Sequence, residues 1–265
     1  MVAAIKKDSS LFVEFEGNKV KVGELLTTNM KLALDKENGY EVVGISIAPA
    51  KIAGYEVCTG SSVGCREACI YVSGHGRFTN TQIARIKRKL LFFQNNKAFK
   101  LQLFKELTSF VKSCKRKGVK PAVRLNVFSD IPYEIVYPDL FTSFPSIMFY
   151  DYTKRIDRVK SKTLPKNYHL TYSRSENTTD LQIIELLNLG VNVAIPFNCR
   201  KDALPKTYLG KEVINGDKSD IRFLDKTGVI VGLSVKGDSK VKKSIDNCNG
   251  FIVDVNPTNK RFNLL

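Results

Sequence analysis

The run AVRLNVFSD, residues 122–130, decides the fold: a short, mostly apolar stretch of strand character stops at a polar turn. The same figure recurs down the chain. IMFY (147–150) runs into Asp151-Tyr152-Thr153-Lys154, HLTY (169–172) into Ser173-Arg174-Ser175-Glu176, and VAIPF (193–197) into Asn198-Cys199-Arg200. Upstream, EVVGISIA (41–48) leads through Pro49 into a cysteine-bearing loop. Helical segments separate these runs. Thr79-Asn80-Thr81 is expected to cap the amphipathic IARIKRKLLFFQ, a second helix is expected from about Lys97 to Lys117 ending at Gly118, and a third from Asp180 to Leu189. Strands alternating with helices predict parallel βα units and an α/β domain. If such units close into a barrel, all strands point one way and the polar residues that follow them share the C-terminal mouth. The expectation is therefore a partial or distorted parallel βα barrel over residues 41–265, preceded by a β-hairpin cap over residues 1–40. The hairpin is read from the alternation Leu11 to Phe15, the turn at Gly17-Asn18 and the run Lys19 to Val22.

With 265 residues and 43% apolar content, the chain can bury a sizeable core. Neither a secretory leader nor an apolar run long enough to cross a bilayer is legible, so the expected location is the cytoplasm. The formal net charge is +16, from 42 basic and 26 acidic side chains, and such a balance favours encounter with DNA or RNA. The runs IARIKRK, KSCKRK and TKRIDRVKSK would supply the cations, and Tyr150, Tyr152 and Tyr172 could stack on unpaired bases; solvated helix faces and barrel packing explain the same residues.

Within GYEVCTGSSVGCREACIYVSGHGRF, residues 54–78, Cys58, Cys65 and Cys69 form C-x6-C-x3-C. Six cysteines in a reducing compartment are read as metal or redox groups before disulfides. Thiolates suit iron-sulfur clusters or zinc, and Gly60, Ser61, Ser62 and Gly64 would let the backbone wrap a cluster. Three donors in one loop favour a 4Fe-4S cluster with one open iron. Zinc is the alternative metal, completed by Cys199, Cys248 or His75, and Cys199 is the best-placed fourth ligand because it ends a strand on the same face. Cys114, within an amphipathic helix, reads as an ordinary buried thiol.

The blocks CTGSSVGCREACIY, VRLNVFSDIPYE, FPSIMFYDYTKR, LPKNYHLTYSRSE and INGDKSDIRFLDKTGVIVGLSVKG, in this order, resemble a family of bacteriophage and prophage proteins of the "gene product eighty-eight" type, over about residues 45–255. That resemblance implies a phage protein acting in an infected cell and leaves its activity open. The loop is also loosely similar to the radical S-adenosylmethionine enzymes, whose partial βα barrel carries three cluster cysteines after its first strand. By that likeness Cys58, Cys65 and Cys69 would hold the cluster, although the spacing departs from the usual C-x3-C-x2-C and no glycine-rich stretch ending in Glu follows the second strand.

Two functions follow as expectations. In the first, the open iron binds S-adenosylmethionine and the protein is a redox or radical enzyme; Asp130, Asp151, Lys154, Arg174 and Glu176 are the candidate catalytic residues, with Ser129 and Ser173 beside the loop glycines and serines as cofactor-binding positions. In the second, the cluster or a zinc ion is structural or redox-sensing, and the basic surface binds nucleic acid without catalysis.

Overall fold

The computed structural model describes residues 11–28, 38–72, 74–235 and 250–255. Cys248, the expected Lys236-Gly237-Asp238 turn and parts of the expected cap lie outside the described residues.

The expected hairpin forms from β1 (Phe12–Phe15) and β2 (Asn18–Lys21), paired antiparallel in a sheet of their own. Its Val13, with Val22 and Leu25 just beyond, packs into the same buried cluster as the main sheet's Ile45 and Val123. The main sheet runs β3-β4-β5-β6-β7-β8-β11-β10-β9, with β12 (Val253–Asp254) also pairing β8. Its members are β3 (Leu26–Thr27), β4 (Tyr40–Ile45), β5 (Lys120–Arg124), β6 (Met148–Thr153), β7 (Tyr168–Ser173), β8 (Val193–Asn198), β9 (Thr207–Tyr208), β10 (Lys211–Asn215) and β11 (Ile230–Ser234). From β4 to β8 each strand lies parallel to the next in chain order, and β11 and β10 continue parallel. Only the short end strands β3 and β9 are antiparallel. The α/β class and the parallel βα rhythm stand. The barrel does not close: the strand order among the described residues is a path with two ends, not a ring.

The connecting helices follow from the sequence. In α3 (Asn96–Lys117), the buried Ala98, Phe99, Leu103, Leu107, Phe110 and Cys114 recur every three or four residues, which builds one apolar stripe. Asn95 accepts from the Ala98 N–H to start it, and Gly118 in the left-handed region (φ 68°) ends it. The preceding α2 (Thr79–Gln94) begins without a side-chain cap, so the expected capping role of Thr79-Asn80-Thr81 is not realised. The cysteine loop contains a short α1 (Val63–Glu67) that periodicity did not reveal. Beyond β5 come α4 (Tyr133–Val136) and α5 (Asp139–Ser143), then α6 (Ile156–Val159) after β6 and α7 (Asp180–Asn188) after β7; the last is closed by a Thr179/Gln182 capping box.

Strand register divides the sheet into two faces. Val43, Val123, Phe149 and Leu170 join the cluster built with α2 and α3. On the opposite face the paired positions read Arg124, Tyr150 and His169, then Tyr152 and Thr171 one step further along β6 and β7. Near the strand starts this face is closed by Val42, Ala122 and Tyr150 packed against Ile221 and Phe223. Toward the strand ends it opens into a cavity.

Candidate ligand-binding cavity

The cavity has a volume of about 550 Å³. Its walls come from the ends of neighbouring strands: Arg124 and Asn126 at β5, Tyr152 and Lys154 at β6, Ser173 at β7, Pro196 at β8, Leu233 and Ser234 at β11. The cysteine loop closes one side and Phe251-Ile252 another. Polar groups expected at a C-terminal mouth are thus partly gathered there, in keeping with where open parallel sheets take ligands.

Cys58, Cys65 and Cys69 all line this cavity, but they do not form a metal site. Among the described residues no group of three or more His, Cys, Asp or Glu side chains is placed to hold a metal ion, which overturns the expected iron-sulfur function. The three thiols are near enough to act on one another, Cys65 and Cys69 on Cys58 and Cys69 on Cys65. The Cys58 sulfur accepts from the Ala50 N–H at 3.2 Å and donates to the Phe128 carbonyl at 3.5 Å. Burial pushes this thiol up to about 12, against the pull of the Ala50 N–H. Burial also raises Cys65, with Lys154 pulling the other way, and Cys69, with the Tyr71 backbone and Arg85 opposing. Cys199 does not line the cavity; it packs in the cluster around Ile195 and Phe197.

The expected catalytic residues separate into distinct roles. Lys154 lines the cavity, and its ammonium is fully engaged: it donates to Ser173 Oγ at 3.0 Å and to the Ser173 and Arg174 carbonyls at 3.3 and 3.0 Å. Burial lowers its pKa, while Cys65 and Asp130 oppose that. Asp130 also lines the cavity, accepting the Lys154 N–H at 2.9 Å and an Arg158 N–H at 2.5 Å. Arg158 is 2% exposed and grips Glu134 through two further bonds of 2.7 and 2.8 Å. Asp151 does not line the cavity but lies directly behind its wall residue Asn126. It sits at 0% exposure beneath the β5 end, accepting from the Asn126 N–H (2.6 Å), Asn126 Nδ2 (2.9 Å) and the Tyr168 hydroxyl (2.6 Å). The Asn126 N–H goes to this carboxylate, just beyond the end of β5 at Arg124.

Glu176 and Arg174 are clamps. Glu176 accepts from the Ser62 hydroxyl at 2.6 Å and the Gly64 N–H at 2.8 Å, pinning the start of α1 to the loop after β7. Burial would raise this carboxyl, but those two donors hold it below the usual carboxylate range. Ser62 in turn caps α1 through the Cys65 N–H. Arg174 donates to the Gly250 and Phe251 carbonyls at 2.6 and 2.8 Å, which seats Phe251 over Lys154 with 4.8 Å between the ammonium and the ring centre. Of the expected cofactor-binding positions, Ser61, Ser129 and Ser173 line the cavity whereas Gly60, Ser62 and Gly64 do not. Gly60 lies against the turn that follows β6: a Cβ there would stand 3.2 Å from the Lys154 Cβ and from the Arg155 Cγ.

Sequence reasoning gives no role to Arg124 or Tyr71 and names Tyr152 only as a mouth residue that could stack on bases, yet all three stand on the cavity wall. Arg124 holds both oxygens of the fully buried Asp220 at 3.1 Å through one nitrogen and lies 4.8 Å above the Tyr152 ring. Burial would lower the Arg124 pKa, and the Asp220 carboxylate raises it instead. An arginine inside an otherwise apolar strand was the available signal.

The basic run in α2 turns inward. Arg85 donates to the Tyr71 carbonyl at 2.7 Å, Arg88 to the Glu24 carbonyl at 2.6 Å, and Lys89 to the Ala50 carbonyl at 2.6 Å. Tyr150 and Tyr172 are buried, their hydroxyls on Asp220 and Thr178. No helix among the described residues is long and apolar enough to cross a membrane.

The family described as Gene product 88 has a model that matches residues 20–253. The chain belongs to that family. This agrees with the resemblance read from the five sequence blocks, and the likeness to the radical S-adenosylmethionine enzymes finds no support. Neither the curated proteins nor the solved structures contain a match. For this family member, what bears on function is therefore the cavity itself.

Proposed function

We propose that the protein binds a small organic molecule in the cavity at the C-terminal ends of its parallel strands. The observation that carries this reading is the convergence of side chains from β5, β6, β7 and β11, distant in sequence, on one space of about 550 Å³. That size is in the range of small-molecule sites, roughly 300–1,000 Å³. The lining joins apolar walls (Ile52, Ile70, Phe128, Phe251) to a few fixed polar groups, the composition such sites share. Its reactive groups are arranged for binding more than for attack. The thiols are held toward their neutral forms, Lys154 spends its donors on fixed acceptors, and the Asp130 carboxylate is paired with Arg158.

The test uses N-phenyl-1-naphthylamine, a neutral fluorophore that brightens in apolar surroundings. Wild-type protein is expected to enhance its emission with saturable, one-site behaviour. Ala68→Trp, which places an indole at the cavity wall, is expected to abolish it while leaving the unfolding temperature within a few degrees. Enhancement that Ala68→Trp leaves intact would overturn the assignment.

A further inference from the structure

Three donors on the cavity wall have no acceptor among the described residues: the Arg124 Nε–H and the hydroxyls of Tyr152 and Tyr71. All three atoms are buried. A buried donor left unpaired costs about 1–3 kcal/mol, so three of them on residues that line one space is an arrangement that an acceptor-bearing ligand would relieve. The guanidinium is the most specific of the three. One terminal nitrogen of Arg124 holds Asp220, and Tyr150 donates to the same carboxylate at 3.0 Å, so the plane of the group is fixed. The edge that carries Nε is left over. In a planar guanidinium that edge offers parallel N–H bonds, which match the two oxygens of a carboxylate, phosphate or sulfonate.

Resting on the reading of the cavity as a small-molecule site, we infer that its ligand joins an apolar body to an oxyanion head. The head docks on the free edge of Arg124 beside the Tyr152 hydroxyl, and the body lies against Phe128, Ile70 and Phe251. Asp220 is then a positioning residue: it anchors one end of the guanidinium so that the other end faces the ligand. Lys154 is not the docking cation, since its N–H groups already reach Ser173 and Arg174.

A matched pair of probes tests this: 8-anilinonaphthalene-1-sulfonate, and the same molecule without its sulfonate, N-phenyl-1-naphthylamine. Wild-type protein is expected to bind the sulfonate at least about tenfold more tightly, the typical gain from charge-assisted hydrogen bonds. Arg124→Lys keeps the charge, and with it a partner for Asp220, but removes the planar edge. It is expected to weaken the sulfonate about tenfold and leave the neutral probe unchanged. Tyr152→Phe, a milder change should the first variant fold poorly, is expected to weaken the sulfonate alone by a few-fold. Because neither substitution alters the net charge of the chain, binding of the anion to surface lysines cannot produce this pattern. Equal binding of the two probes, or a loss under Arg124→Lys common to both, would overturn the oxyanion inference while the cavity reading stands. Failure of both probes to bind wild-type protein would overturn both.

Discussion

Replacing Asp151 by Asn probes the buried network that carries the cavity floor. Asp151 is 0% exposed and accepts three hydrogen bonds, and an amide can accept only part of that set: its NH₂ would face either the Asn126 N–H or both Asn126 Nδ2 and the Tyr168 hydroxyl, all donors to the carboxylate. The cost of one thwarted donor is about 1–3 kcal/mol. The pH dependence is the sharper signature. Burial raises the Asp151 carboxyl from 3.8 to about 6, with the Tyr168 and Asn126 hydrogen bonds and Arg158 opposing. Between those values the folded protein keeps a proton that the unfolded chain has released, so the stability contributed by Asp151 falls as pH rises. Across that window the fall amounts to about 3 kcal/mol. Other carboxyl groups titrate in both proteins and cancel in the comparison. Wild type is therefore expected to be the more stable near pH 4, with its advantage over Asp151→Asn shrinking by about 3 kcal/mol toward pH 7. Urea unfolding followed by far-ultraviolet circular dichroism and tyrosine emission measures this, the chain having no Trp. A gap that stays constant would refute the raised pKa; a gap that widens with pH would mean that Arg158 outweighs burial.

Glu176→Ala releases Ser62 and Gly64 and is expected to cost about 2 kcal/mol, with native-state maleimide labelling of Cys65 accelerated; unchanged labelling would show that other contacts hold α1. Burial lowers Lys89 from 10.5 to about 8, so between those values the unfolded chain holds the extra proton and the stability contributed by Lys89 rises with pH. Urea midpoints are expected to show that rise in wild type and not in Lys89→Met; matching pH profiles would count against it.

The strand-helix rhythm was legible because each apolar run is short and ends in a polar turn, which is what a parallel strand between helices requires. What the rhythm lacked was the face of each strand. Asp151 follows IMFY directly and reads as a mouth residue, yet register sets it on the face opposite Tyr150 and Tyr152. A period-two count from Lys154 sets it on the other face, but Thr153, in step with Asp151, lines the cavity too, so parity alone does not exclude it. The cysteines line the cavity, but spacing cannot show where sulfur atoms point; the Ala50 N–H, eight residues before Cys58, claims one of them. The inward turn of three α2 cations was hidden for a similar reason. Their partners are backbone carbonyls of Glu24, Ala50 and Tyr71, and a carbonyl leaves no mark in a sequence.

The order in which β4, β5, β6, β7 and β8 stand side by side is also the order in which a ribosome would release them. Each newly emerged segment therefore meets a waiting edge made by its immediate predecessor, with only one helical crossover to close. Pairing between successive neighbours keeps loop-closure entropy small at every addition, so this architecture suits assembly during synthesis. The edge at β8 is then shared by β11 and β12, the last pieces to arrive.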